Sequence, residues 1–171
     1  MNVTLYLLFA LVLQTATVEK PFPTKELTWY TWEEAMVLQK KNPKKLMVDV
    51  YTDWCGWCKR MDRETFQNPK VAAYLMEHYY PIKLDAEQRE TIVFDGVEFE
   101  WRDAGRNGIH MLAYSLLDGQ MSYPTIVFLN ERTERIMISK GYKKTDRMLK
   151  ELEFINDERY RDTTLDAFLL E

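Results

Sequence analysis

The residues best placed to do chemistry are Cys55-Gly56-Trp57-Cys58, which contain the only two cysteines of the chain. On a helix this spacing puts both sulfurs within about one turn, close enough to form a small disulfide ring. The pair follows the apolar, β-type run Leu46–Thr52 and precedes a helix-like stretch from Lys59. A thiol between strand and helix faces unpaired backbone N–H groups and the positive end of the helix dipole. That setting favours the thiolate, the form that attacks disulfides. The chemistry predicted is exchange. Cys55, nearer the helix start, attacks a substrate disulfide, and Cys58, one turn in, then attacks Cys55 to release the reduced substrate. The competing reading is a structural or metal-bound CxxC. Zinc wants a full set of ligands, yet no further cysteine is present and His78 and His110 lie far away in sequence. Haem attachment wants histidine after Cys58, where Lys59 stands. No metal and no bound cofactor are expected.

Around the pair, Asp49 interrupts the apolar run. Either it is buried, which is costly unless it is paired or protonated and which raises its pKa, or it lies at an exposed sheet edge. Trp54 and Trp57 flank the motif; one is expected to pack and the other to offer an apolar platform, with Trp57 the candidate substrate contact. Lys59 and Arg60 either add positive charge near the thiolate or form a solvated helix face. His78 and His110 read as surface or capping residues.

The elements that must hold these residues follow from pattern. Thr31 with Glu34 forms a capping box for a helix through about Lys41, with Trp32, Ala35, Met36 and Leu38 on its buried side. A strand at 46–52 leads to the motif and a helix from about Cys55 to Glu64. After the break at Asn68-Pro69, a helix runs through about Tyr79, and Pro81 to Leu84 is a short strand. Glu90 to Trp101 reads as a β-hairpin turning at Asp95-Gly96, a dipeptide suited to a type I′ turn. Ile109 to Leu117 reads as helix, Thr125 to Leu129 and Arg135 to Ser139 as strands, and Thr145 as the cap of a last helix carrying Met148, Leu149, Leu152 and Ile155. The order is βαβ, an inserted segment, then ββα. It implies an α/β fold with a mixed central sheet flanked by helices.

With 171 residues and a formal net charge of −4, the chain suits one globular domain and gives no reason to expect nucleic acid as a partner. Val3 to Leu13 is uncharged and apolar, too short for a membrane span of about 20 residues and suited to an export signal. The division expected is 1–18 signal peptide or uncleaved anchor, 19–28 linker, 29–162 domain with an insert at about 87–109, and 163–171 a tail that either caps the core or docks a partner. An exported chain meets an oxidising compartment, the periplasm, with both cysteines in one pair, which favours a redox couple over a disulfide scaffold.

The segment Val48-Asp49-Val50-Tyr51-Thr52-Asp53-Trp54-Cys55-Gly56-Trp57-Cys58-Lys59, with Ile82-Lys83-Leu84-Asp85, Tyr123-Pro124-Thr125 and Gly141, resembles the thioredoxin superfamily. The likeness spans about Leu46 to Leu152. Asp53-Trp54-Cys55, Cys58-Lys59, Thr65-Phe66 and Pro69-Lys70-Val71 resemble more narrowly the C-terminal domains of the DsbD reductases. The resemblance implies a thioredoxin-like fold with a cis peptide at Tyr123-Pro124 beside the sulfurs, leaving the Tyr123 backbone free to pair with an extended substrate. It implies a Cys55–Cys58 disulfide, and Asp49 beneath the cysteines exchanging a proton with Cys58, tuned by Lys83 unless that lysine is merely solvated. Trp57 stands where thioredoxin has proline, and the 87–109 region is longer. The function expected is a thiol–disulfide oxidoreductase acting on protein disulfides, a reductase or isomerase rather than an oxidase. Its partners would be protein substrates and an upstream, membrane-bound redox donor, and the chain would be a monomer. The alternative is a non-catalytic binding module with a structural CxxC.

Overall fold

In the computed structural model, which describes residues 26–170, β1 (Lys45–Tyr51) is the strand around which the rest is arranged. It pairs in parallel with β2 (Tyr79–Asp85) and antiparallel with β7 (Thr125–Leu129), which in turn pairs antiparallel with β8 (Arg135–Lys140). The sheet order β2-β1-β7-β8 puts β1 and β7 inside. Interior strands covered on both faces need apolar residues at every position, which is how Leu46-Met47-Val48 and Ile126-Val127-Phe128 read. Period-two alternation then divides them. Leu46, Val48 and Val50 join one buried cluster with Val127 and Leu129, while Met47 joins a second with Ile126 and Phe128.

The first cluster is covered by α1 (Trp32–Lys41) and α4 (Met111–Leu116). The capping box of α1 is present: the Glu34 N–H donates to Thr31 Oγ1 at 3.2 Å, and the Thr31 N–H donates to Glu34 Oε2 at 2.9 Å. Its buried side is Trp32, Ala35 and Gln39, with Met36 and Leu38 only half-buried. Gln39 is polar yet buried because its Nε2 donates to the carbonyls of Lys44 and Glu131. The second cluster is covered by α2 (Gly56–Met61), a π-helical turn at Asp62–Phe66, α3 (Pro69–His78) and α5 (Thr145–Asn156).

Several boundaries differ from expectation. The helix read as Cys55 to Glu64 changes at Met61 from α to π. The strand read as Pro81 to Leu84 extends over Tyr79–Asp85, because Tyr79 and Tyr80 pair with Lys45 and Leu46 of β1. Thr145 does not cap α5; Lys144 occupies that position, and Thr145 Oγ1 donates to the Glu64 carbonyl at 3.3 Å. The tail closes the core. Thr164 caps α6 (Leu165–Phe168), and Phe168 packs against Phe154 with ring centroids 5.3 Å apart.

The insert carries the expected hairpin, β3 (Ile92–Phe94) with β4 (Val97–Phe99), turning at Asp95 and Gly96, both with positive φ as a type I′ turn requires. It also carries β5 (Trp101–Arg102) paired with β6 (Ile109–His110), so the helix expected from Ile109 starts at Met111 instead. The reason is His110, whose own N–H donates to the Ala86 carbonyl at 2.8 Å. Its Nδ1 accepts the Leu112 N–H, so Nε2 carries the ring proton and faces the Glu90 carbonyl at 3.1 Å. Burial holds the ring below its ordinary pKa, against a raising effect of the backbone contacts. The stability this neutral ring contributes is therefore present above the unfolded value near 6.5 and is lost as pH falls below it. His110→Ala is expected to cost about 2–4 kcal/mol, from a lost cap, an orphaned carbonyl and a cavity, read by chemical denaturation at neutral pH.

Candidate redox site

Cys55 and Cys58 are joined by a disulfide, with Cα atoms 5.3 Å apart. β1 ends at Tyr51, and Thr52-Asp53-Trp54 turns the chain into α2, with the Cys55 N–H donating to the Thr52 carbonyl at 3.1 Å. Cys55 is the N-cap of α2, and its Sγ accepts the Cys58 N–H at 3.1 Å. A cap position offers a sulfur one of the helix's unpaired donors, so the same N–H would stabilise a Cys55 thiolate once the bridge opens. Both cysteines are buried, Cys58 at 2% exposure and Cys55 at 5%.

Asp49 lies on an interior strand, fully buried, and is not at an exposed edge. Its Oδ2 accepts from Lys83 Nζ at 2.6 Å, while its Oδ1 is buried without a hydrogen-bond partner. Lys83 arrives from the neighbouring strand because the β1–β2 register sets it opposite Asp49. Burial pushes the Asp49 carboxyl up to about 6, and Lys83 pulls against that shift. Lys83 is held by three aromatic rings, with Nζ 4.7 Å from the centroid of Trp29, 4.9 Å from that of Tyr51 and 5.6 Å from that of Phe66. It also bonds Asp62, which the sequence reading did not single out. The signal was available: Asp62 stands four residues after Cys58, on the same helix face.

The Tyr123-Pro124 bond is cis. Pro124 lies one residue past the Val50–Thr125 pair, at the end of β1 from which the cysteine turn departs, and its carbonyl accepts the Gly141 N–H at 2.8 Å. Tyr123 packs edge-on to Trp54, centroids 5.9 Å apart. The expectation that one of the two motif tryptophans packs inside is corrected: Trp54 is 61% exposed and Trp57 55%. Trp54 Nε1 donates to Glu87 Oε1 at 2.8 Å, and Asn107 Nδ2 reaches the same oxygen at 3.1 Å, so the insert touches the site. Trp57 packs on Tyr142, with ring centroids 5.4 Å apart. Arg60 bonds Glu64 at 2.8 Å and lies against the Trp57 and Tyr142 rings, so its charge is directed there. Of the residues expected at the site, the fold brings together Cys55 with Cys58 and Asp49 with Lys83; Tyr123 and Pro124 are chain neighbours across the cis bond, and Trp57 packs with Tyr142. His78 plays no part, pairing loosely with Glu77.

A mixed sheet with a CxxC disulfide at a strand–helix junction and a cis-proline before the next interior strand defines a protein of thioredoxin fold. Structural comparison agrees. A DsbH oxidoreductase superposes with a TM-score of 0.57 at 16% identity, over 85% of this chain and 92% of that one. A putative disulphide-isomerase from Bacteroides thetaiotaomicron superposes with a TM-score of 0.54 at 23% identity, over 81% and 93%. Residues 19–157 match the family Thioredox_DsbH, described as "Protein of unknown function, DUF255", and the chain belongs to it.

Curated relatives are similar over parts of their length. An uncharacterized Caenorhabditis elegans protein, B0495.5, is 28% identical over 142 residues, 73% of this chain and 18% of that protein. Human spermatogenesis-associated protein 20 is 34% identical over 65 residues, 37% of this chain and 8% of that protein. The thiol:disulfide interchange protein DsbD of Vibrio vulnificus is 40% identical over 45 residues, 26% of this chain and 8% of that protein. The chain thus spans less than a fifth of the length of the first two.

Proposed function

We propose that this chain is a thiol–disulfide oxidoreductase that reduces or isomerises protein disulfides through Cys55 and Cys58. The observation that carries the reading is the disulfide at the N-cap of α2, with a backbone donor already on Cys55 Sγ and a buried carboxylate, Asp49, on β1, the strand that leads into the cysteine turn. In the reducing direction the Cys55 thiolate attacks one sulfur of a substrate disulfide. A mixed disulfide forms and one substrate thiolate leaves. Asp49, ionised above about pH 6, takes the proton of Cys58. The Cys58 thiolate then attacks Cys55 Sγ, the Cys55–Cys58 bridge closes, and the second substrate thiolate departs. Two electrons have passed to the substrate, and a dithiol donor must return them to this chain.

Tyr123 and Pro124 would offer backbone to an extended substrate segment, and the exposed Trp54 and Trp57 an apolar surface. Similarity to DsbD supports a membrane-bound donor, and the apolar run Val3 to Leu13 supports export to the periplasm. That run and most of the linker lie outside the described residues; among the described residues no helix is long and apolar enough to cross a membrane.

The test is reduction of a protein disulfide by dithiothreitol with and without the chain, together with the pH dependence of Cys55 alkylation. Catalysed reduction, with a thiol more acidic than free cysteine, supports the reading. A bridge that resists the reductant and a thiol titrating near about 8.5 would leave a stapled binding module. Trp57→Ala is expected to lower kcat/KM for the protein substrate about tenfold while leaving a small-molecule disulfide unaffected, because only the larger substrate reaches the Trp57–Tyr142 patch.

A further inference from the structure

Asp62 is not part of the CxxC motif, yet it meets the same ammonium as Asp49. It stands where α2 gives way to the π-helical turn, with its N–H on the Cys58 carbonyl. From there its Oδ1 accepts from Lys83 Nζ of β2, which also donates to Asp49 Oδ2. A single half-buried cation therefore lies between two carboxylates of unequal burial: the Asp49 side chain is 1% exposed and that of Asp62 38%. Asp62 and Lys83 line a cavity of about 650 Å3 with Leu27, Trp29 and Phe66. Solvent meets the cluster at Asp62 and Lys83, not at Asp49.

We propose that Asp62 is a positioning residue for Lys83, dividing the ammonium between two carboxylates and so setting the pH at which Asp49 passes its proton. This rests on the reading of Asp49 as the group that takes the Cys58 proton. The sign follows from the surroundings. Around Asp49, β2 presents Lys83, the π-helical turn presents Asp62, and β1 itself presents Tyr51. α2 presents the Cys58 thiol once the bridge is open, and β7 presents only apolar Ile126 opposite Asp49. Glu26, ahead of α1, reaches the outer cavity wall. Among these, Asp62 is the carboxylate that shares the Lys83 ammonium with Asp49, and its charge works against ionisation of Asp49. The rings of Trp29, Tyr51 and Phe66 keep Lys83 beside Asp49 when Asp62 is neutralised. Losing the second carboxylate should then strengthen the hold on Asp49 and lower its titration midpoint.

The experiment is carboxyl 13C NMR titration of Asp49 in the full chain, oxidised and reduced, for the wild type, Asp62→Asn, Asp62→Glu and Lys83→Met. The Asp49 midpoint should fall by about half a pH unit to one unit in Asp62→Asn, return towards wild type in Asp62→Glu, and rise in Lys83→Met. The pH midpoint of Cys58 attack on a mixed disulfide should fall with it in Asp62→Asn. An unchanged or higher Asp49 midpoint in Asp62→Asn, or a fall that Asp62→Glu does not reverse, overturns the proposal. The NMR midpoint is read without turnover. A chain that shows the shift but reduces no disulfide would refute the proposed function and leave the Lys83 arrangement standing.

Discussion

Cys58→Ser is expected to leave the chain covalently joined to its partners. With Cys55 intact the first attack still occurs, but no second sulfur is present to open the mixed disulfide, so the intermediate accumulates. Turnover of a protein disulfide should fall roughly a thousandfold or more, as it should for Cys55→Ser, because the two sulfurs act as one unit. The variants differ in what they trap. Cys58→Ser should yield bands on non-reducing gels that dithiothreitol removes, whereas Cys55→Ser, left with the cysteine inside α2, should yield few. Equal trapping by both would reverse the assigned order of attack. Trapping in the native compartment also identifies the protein that supplies electrons, because the mixed disulfide forms with donor and substrate alike.

Asp49→Asn should have the next largest effect, with opposite consequences for rate and stability. Burial, only partly offset by Lys83, raises this carboxyl from an ordinary 3.8 to about 6. At pH 7 it is ionised and can accept the Cys58 proton; asparagine cannot. Attack by Cys58 on the mixed disulfide should slow about a hundredfold at pH 7. The difference from wild type should shrink below pH 6, where Asp49 is itself protonated. A stopped-flow pH profile of that step identical in both proteins would remove the role.

Stability runs the other way. A carboxyl whose folded pKa is raised contributes fully below its unfolded value and loses that contribution as pH climbs through the folded one. Relative to wild type, Asp49→Asn should therefore gain about 2–3 kcal/mol between about pH 4 and pH 8, measured by denaturation of the oxidised protein. Lys83 keeps Asp62 as a partner in the variant, which limits the loss from the broken pair.

The fold was legible because its signals are local. Strands covered on both faces must be largely apolar, and the β1 and β7 runs are, with Asp49 the exception that marks the site. The Thr31–Glu34 box, the Asn68-Pro69 break and the Asp95-Gly96 turn mark boundaries by backbone chemistry alone. The errors lie where distant partners decide. Ile109 and His110 carry helical spacing, but their backbone pairs with β5 and Ala86, so the helix begins later. Thr145 has the chemistry of a cap, yet its hydroxyl is drawn to the Glu64 carbonyl beyond Lys144. At the site, the cysteines and Asp49 declare themselves by type and spacing. Asp62 could be found by its spacing from Cys58, but its role rests on meeting Lys83, which the β1–β2 register brings from far along the chain. The exposure of both motif tryptophans was likewise hidden, since the partners of Trp54, namely Tyr123 and Glu87, come from far along the chain.

Tyr30 forms a parallel bridge to Ile82 on the outer side of β2, donating to the Pro81 carbonyl at 2.9 Å and accepting the Lys83 N–H at 3.2 Å. That one residue blunts the rim of the sheet on the strand that bears Lys83. A recombinant protein trimmed to start at Trp32 would uncover a bare row of amides and carbonyls, inviting strand-by-strand association between molecules. Any shortened version intended for crystallisation or assay should therefore begin upstream of Trp29.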